Sequence, residues 1–376
     1  IMNKKYPFED FKEVNDQCQF AYSLCSKSNF RPKFNKNIPK RYKELIESCW
    51  SDNPEERPTF EKIVNDLRND SKFITNDIDK NKFNEYIQFI ESKKGNKKLI
   101  DSNFPFHMID LLSIYKEIQE ALIEESSSSS SFSLLSDYEL QSDEYQTTMT
   151  SSVFKIKNKM NGKAFSAKIA NFNVDQYSKE DLINIKIEIK KLTQLKHPSI
   201  QQFIDYSFVD FEKQPRPVVI SEYCSSRTLY DIIQEERKGK INPLYWNDTK
   251  KLINVYGIAS AMSYLHSNDI LHPNLSLNNI FIDDFFYPKL TDFGFFTQIE
   301  NNKIATNVTT NEIGLNTYLY SPKFLLAGKR EKAGDVYSYA YIVYEIITNE
   351  VPFNDIKTMK QLYDKIVVKH HRQPFH

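Results

Sequence analysis

Two short stretches carry side chains that could do chemistry together. His272-Pro273-Asn274-Leu275-Ser276-Leu277-Asn278-Asn279 ends 13 residues (292 − 279) before Asp292-Phe293-Gly294. Asp292 offers a carboxylate, the hard oxygen donor a divalent cation prefers, and Asn279 offers a neutral amide oxygen. Asn274 carries a carboxamide, which cannot take a proton from a hydroxyl. Upstream, Ala164-Phe165-Ser166-Ala167-Lys168 supplies a cation, and Glu188, 20 residues later (188 − 168), supplies an anion. Taken singly these features are bland. A lone Asp-Phe-Gly is more often a turn, Lys168 an exposed strand lysine, and Glu188 a surface partner of Lys191. Order and spacing are what reverse that.

The elements that must position these residues can be read from periodicity. Val153 to Ile156 and Ala164 to Ala170 flank Asn161-Gly162, a hairpin signal because both residue types tolerate positive φ. A helix follows, with Ser178 as N-cap and Leu182, Ile185, Ile189 and Leu192 on one face. Strand patterns at Gln202 to Phe208 and Val218 to Tyr223 come next, and then helical ones. Leu252, Val255, Ala259, Met262 and Leu265 share a face, while Asp335 to Ile347 is apolar nearly all round and should be buried. At the other end, Tyr42, Leu45, Ile46 and Cys49 form a stripe entered through Pro39, and Phe60, Ile63, Val64 and Leu67 form a second. Between about 76 and 133 the composition shifts to a helical stripe at Met108 to Leu122 and then six serines, Ser126 to Ser131. A serine run buries too little surface to offset its ordering entropy, so a linker is expected there.

Bulk properties exclude several classes. Lysine plus arginine and aspartate plus glutamate number 50 each in 376 residues, so no net field draws the chain to nucleic acid. The four cysteines have neither metal-ligand spacing nor disulfide density, and an intracellular, cytoplasmic setting is expected. No apolar run reaches the roughly 18 residues of a membrane span, and the amino-terminal residues lack a signal-peptide pattern. The start at Ile1 suggests that the natural chain extends upstream.

Taken together, the motifs resemble those of eukaryotic protein kinases, whose patterns are H-R-D-L-x-x-x-N and D-F-G. The resemblance implies an α+β, bilobal protein-kinase fold over 134–376. A small antiparallel sheet with one helix (about 134–223) would precede a larger, mainly helical lobe (about 224–376) that stops before its last helices. It implies ATP and Mg²⁺ as cofactors, with a protein substrate or partner. Lys168 matches the strand lysine on the α/β-phosphates, Glu188 its helical ion-pair partner, and Asn279 and Asp292 the metal ligands. Ser221, Glu222, Tyr223 and Cys224 match the adenine-binding hinge, Ser221 at the gatekeeper place. Tyr320-Ser321-Pro322-Lys323 resembles the A-P-E end of the activation segment, and Asp335 the aspartate that braces the catalytic loop. In residues 1–75, Cys49-Trp50 and Arg57-Pro58 match the closing region of such a lobe, in tyrosine-kinase-like style. Tyr6-Pro7-Phe8 and Val351-Pro352-Phe353 repeat at an offset of 345 (352 − 7), as a window on tandem kinase-like domains would. The expected order is therefore a helical fragment of another kinase-like domain, a linker at 76–133, and a second domain that contacts its neighbour in the full-length chain.

The departures from the pattern fall on one function. The phosphate-loop glycines and the residue that follows them align with Gln146, Thr148, Ser151 and Val153, where side chains should crowd the nucleotide. Asn274 takes the place of the catalytic aspartate, Pro273 and Ser276 those of two loop cations, and Lys323 that of a glutamate. Losing a positioned base costs roughly 10²–10⁴-fold. A pseudokinase is the leading expectation. A slow or atypical Ser/Thr kinase, and the non-catalytic part of a larger active kinase, stand as alternatives. Because Arg57 would meet Lys323, two like charges, residues 1–75 are expected not to complete the second lobe.

Overall fold

A computed structural model describes residues 31–95 apart from 36, 134–171 apart from 142–145 and 148–150, 192 and 194–292 apart from 225, 226 and 273, and 319–352 apart from 328 and 329. The helix from Ser178, the stripe at 108–122 and most of the two repeat segments lie outside the described residues.

Alternating sequence becomes a six-stranded antiparallel sheet. Its strands are β1 (Tyr138–Leu140), β2 (Gln146–Thr147), β3 (Ser151–Asn158), β4 (Ala164–Ala170), β5 (Phe203–Ser207) and β6 (Val218–Glu222). The order is β1–β3–β4–β6–β5, with β2 also paired to β3. Gly162, at φ 70°, closes the β3–β4 hairpin as the Asn-Gly signal predicts. Pairing of Phe154 with Ala167 and of Ala167 with Ile220 puts these side chains on one face, where they join Ile156, Phe165, Ile169 and Val218 in a small apolar core. The period of 2 then turns Ser151, Val153, Ser166, Lys168 and Ser221 to the opposite face. A one-residue slip would exchange the two sets, so burial of the apolar face fixes where Lys168 points.

The larger lobe is helical: α1 (Lys40–Cys49), α2 (Phe60–Asn69), α3 (Lys80–Lys93), α4 (Leu229–Arg237), α5 (Asp248–Ser267), α6 (Pro322–Ala327) and α7 (Lys332–Thr348). A two-stranded ribbon, β7 (Ile280–Ile282) and β8 (Pro288–Leu290), forms a separate sheet, bridged to Ile200 through Leu290. As expected, α7 is buried on all sides, with Tyr337, Tyr339, Tyr341 and Tyr344 inside. Their hydroxyls are satisfied there. Tyr339 donates to Val255 O at 2.9 Å, Tyr344 to Lys33 O at 2.7 Å, and Tyr337 pairs with Tyr341 at 3.1 Å. A buried hydroxyl without a partner would cost about 1–3 kcal/mol.

The expectation that the amino-terminal segment stays off the second lobe is wrong. α1 packs on α7 and α2 on α5, and residues 42–90 share one core with residues 192–346. Trp50 lies against Tyr341 with ring centroids 5.5 Å apart, and Phe60 meets Tyr339 edge-on at 5.2 Å. Each such buried side chain contributes roughly 1.5–3 kcal/mol. Arg57 donates to Ala333 O at 3.0 Å and stacks over Tyr337. The like-charge argument fails because it leaves out Glu331. Its carboxylate takes Lys323 Nζ at 2.6 Å and also offsets part of the burial that pulls the Arg57 guanidinium below its ordinary value.

Helix α3 lies within the stretch expected to be a linker, yet its Phe83, Tyr86, Ile87 and Ile90 are buried. Asp79 caps it, accepting from Asn81 N and Lys82 N. Tyr86 reaches across to Ser199 Oγ at 2.8 Å, and Gly257 of α5 makes room for it. A Cβ at Gly257 would sit 2.4 Å from the Tyr86 hydroxyl and 2.7 Å from Pro288 Cγ. His197 ties the same region together. Its Nδ1 accepts from Ser199 N at 3.1 Å, which leaves Nε2–H to donate to Ser260 Oγ at 3.0 Å. Burial, helped by the charges of Lys94 and Lys289, pushes its pKa down to about 3.

This packing can be tested at two positions. Helix propensity alone would make Gly257→Ala stabilising by about 1 kcal/mol. Overpacking against Tyr86 and Pro288 costs about 1–3 kcal/mol. We predict net destabilisation in urea unfolding, reduced in a Tyr86→Ala background; a stabilised variant would show that α3 does not dock here. The second position concerns acid. The unfolded chain binds a proton at His197 below about pH 6.5 and the folded chain does not, so stability is present above that pH and is lost as pH falls. The loss should approach roughly 1.4 kcal/mol per pH unit between about 6 and 4. His197→Gln should flatten that slope, and an unchanged slope would refute the assignment.

Candidate functional site

The site is built from the polar face of the sheet and the loop between α5 and β7. Lys168 on β4 reaches Asp292, just beyond β8, in a direct ion pair between Nζ and Oδ1. Asp292 adopts a left-handed backbone, φ 56°, uncommon for a residue with a side chain and a means of re-aiming its carboxylate. Val153, paired with Lys168 across β3 and β4, and the wholly buried Ser151 lie on this same face. Gln146 pairs with Val153 across β2 and β3, so the hairpin that would close over phosphates is present without glycine. Thr148 and Glu188 lie outside the described residues.

The catalytic-loop segment is held by backbone and amide groups. His272 N donates to Asp335 Oδ2 at 3.1 Å, and His266 Nε2 meets the same oxygen at 2.7 Å, so Asp335 braces the loop from α7. His272 Nε2 contacts Thr291 O at 3.0 Å, and burial holds this imidazole below its usual pKa. Asn279 Nδ2 donates to Asn274 O at 2.7 Å, and Asn279 O receives both Thr291 N and Thr291 Oγ1. Asn274 is exposed, Ser276 is buried, and Pro273 lies outside the described residues.

Among the described residues no three His, Cys, Asp or Glu side chains cluster as a metal cage. One carboxylate, Asp292, and one amide oxygen, Asn279 Oδ1, instead suit Mg²⁺, which keeps waters and takes the rest of its shell from phosphates. The hinge segment is held by polar contacts of its own. Glu222 carries the backbone acceptor at the end of β6, and Gln201 Nε2 already donates to its carbonyl at 2.8 Å. The Glu222 carboxylate takes Gln202 N at 3.0 Å and Lys289 Nζ at 2.8 Å. Lys155 sits over the Tyr223 ring at 4.5 Å, and burial beside Glu222 pushes the Cys224 thiol up to about 12, leaving it unreactive. Gln201 is not among the residues the sequence singles out. An amide just before a strand has no motif; only its reach to the hinge identifies it. A separate cleft of about 820 Å³ between α2, α5 and α7 is lined by His266 but by none of the site residues that the sequence singles out.

Comparison with known proteins agrees with the geometry. Residues 149–374 match the family model "Protein kinase domain", and residues 6–67 match "Protein tyrosine and serine/threonine kinase". "Dual specificity protein kinase pyk3" of Dictyostelium discoideum is 25% identical over 368 residues, 93% of this chain and 22% of that protein. "Cysteine-rich receptor-like protein kinase 10" of Oryza sativa subsp. japonica is 31% identical over 182 residues, 47% of this chain and 26% of that protein. The "Crystal structure of Rad53 1-466 in complex with AMP-PNP" matches with a TM-score of 0.45 at 22% identity, covering 64% of this chain and 55% of that one. This chain thus spans about a quarter or less of the length of those two curated relatives. No helix of the described residues is long and apolar enough to cross a membrane. With its family match covering well over half its length, this chain belongs to the protein kinase family.

Proposed function

We propose that residues 134–376 are a pseudokinase domain, a protein-binding and allosteric module that transfers phosphate weakly or not at all. The observation that carries this reading is Asn274, exposed on a well-braced loop at the place of the catalytic base. A carboxamide there cannot accept the substrate proton. The glycine-free hairpin, whose side chains would crowd the phosphates, weakens nucleotide binding independently. When bound, Mg²⁺ would neutralise phosphate charge; Asn279 and Asp292 would hold it, and Lys168 would meet the phosphates. The domain would act in the cytoplasm on a protein partner. Residues 1–75 are read as the closing part of another kinase-like domain, joined through 76–133. The 368-residue alignment with a single relative supports that order, because it spans both segments.

One observation favours a second reading, a slow Ser/Thr kinase. Lys168 and Asp292 are paired, with Asn279 near in sequence, and loose phosphoryl-transfer transition states depend more on positioning and metal charge than on a base. A larger chain whose active domain lies elsewhere is equally compatible with this module.

Titration of ATP with Mg²⁺ by calorimetry should show weak binding, lost in Lys168→Ala and Asp292→Ala. Tight binding indifferent to both changes would refute the assignment of the site. Asn274→Asp should raise any measurable transfer, by at most about 10²–10⁴-fold. A wild-type domain already working at about 1 s⁻¹, the ordinary kinase range, would overturn the pseudokinase reading.

A further inference from the structure

Helix α3, Lys80–Lys93, lies outside both family matches, which span 6–67 and 149–374, yet it grips the turn that leads to Asp292. Tyr86 makes the grip. Its buried hydroxyl pairs with Ser199 Oγ at 2.8 Å, and its ring lies 4.6 Å from that of Tyr287, the residue before β8. Just past the helix, Gly95 N donates to Lys196 O at 2.6 Å, at the other end of the same turn. Ser199 N donates to His197 Nδ1 at 3.1 Å, which closes the turn on itself. From there the contact runs into the cleft. Ser199 O accepts Leu290 N and Leu290 O accepts Gln201 N, both at 2.8 Å, a parallel bridge centred on Ile200. Leu290 ends β8, and Asp292 follows it by two residues, with Thr291 between them bonded to Asn279 O.

From this arrangement we infer that α3 is an allosteric arm of the cleft. Tyr86, acting through Ser199 and Leu290, is a positioning residue for Asp292, so that docking of α3 and binding of Mg²⁺ with nucleotide favour each other. The inference rests on reading the cleft as a nucleotide site. Two observations set this contact apart from ordinary packing. The hydroxyl pair has no slack, because α5 closes the space behind it: a Cβ on Gly257 would stand 2.4 Å from the Tyr86 oxygen, 3.2 Å from Ser199 Oγ and 2.7 Å from Pro288 Cγ of β8. The path is also short and dry, since Ser199, Ile200, Leu290 and Thr291 are all buried. Close-packed, hydrogen-bonded segments shift as units instead of deforming, so a displacement at Tyr86 is delivered to Asp292. The coupling is reciprocal: the factor that docking of α3 adds to ligand affinity is the factor that the ligand adds to docking.

The test uses the full chain with Tyr86→Phe, Ser199→Ala and the two combined, each change removing only a hydroxyl. Calorimetric titration of ATP with Mg²⁺ reads the cleft, and urea unfolding reads the fold. Either single change leaves one buried hydroxyl without its partner, and the double change removes both. Stability should therefore fall in the singles and largely return in the double. Affinity should not return with it. All three variants should bind at least about fivefold more weakly than wild type, the lower end of an ordinary allosteric coupling. Unchanged affinity in the folded variants, or affinity that recovers together with stability in the double, would overturn the arm while leaving the nucleotide site standing. A wild type that binds no nucleotide would overturn the site itself, and this inference with it.

Discussion

One buried carboxylate decides the geometry of the cleft. Asp335, near the start of α7, accepts the backbone N–H of His272 and the ring N–H of His266, and so pins the loop between α5 and β7 to a helix buried on all sides. A carboxylate in such a place costs several kcal/mol to desolvate unless charge-assisted hydrogen bonds compensate it. The compensation forces His272 to one position. From there its ring fixes Thr291 O, and Thr291 in turn bonds Asn279 O, so that Asn279 and Asp292 are set within one continuous network. The face of the sheet that bears Lys168 is fixed separately, by the apolar side of β3, β4 and β6. The ion pair between Lys168 and Asp292 is where the two independently determined halves meet.

Much of this is legible in the sequence because it follows from periodicity. The hairpin at Asn161-Gly162, the buried character of α7, and the stripes of α1 and α2 follow from alternation, from apolarity on all sides and from 3–4 spacing. The catalytic-loop and Asp292 motifs stand out by order and spacing. Three features do not, and each for its own reason. α3 carries its stripe at Phe83, Tyr86, Ile87 and Ile90, but Asn84, Glu85 and Gln88 between them and lysines at both ends make the stretch resemble a solvated linker. The docking of the amino-terminal helices looks unfavourable when Arg57 and Lys323 are weighed alone. Electrostatic sign at a contact depends on all the charges there, and Glu331, eight residues after Lys323, reverses it. Gln201 is invisible because its role depends on a carbonyl 21 residues away, a distance only the fold closes.

The docked segment also shows how a lobe can tolerate an altered chain order. The core recognises surfaces, not connectivity. Trp50 and Phe60 fill spaces beside Tyr341 and Tyr339, and Tyr344 hydrogen-bonds Lys33 O, whatever path the chain takes between them. Loop-closure entropy grows only with the logarithm of length, so the residues between α3 and β1 add little to the cost of bringing these pieces together. Burial of several aromatic side chains outweighs it.

The side chains that brace the site and those that would react in it are separable, and this changes how the retained motif residues should be weighed. Asn279 holds Asn274 O through its amide nitrogen, and His272 holds Thr291 O, without nucleotide or metal. Both have structural work in the described fold, so their presence says little about catalysis. Asn274, by contrast, is exposed, and its amide nitrogen and oxygen have no partner in the network above. Only its backbone carbonyl is used, and any residue supplies that. A change from carboxylate to carboxamide at this one position therefore removes the base while leaving the loop intact. Lys168 and Asp292 are the remaining pair whose placement together is not required by the bracing network. The balance between a binding module and a slow kinase rests on those two side chains more than on the rest of the motif.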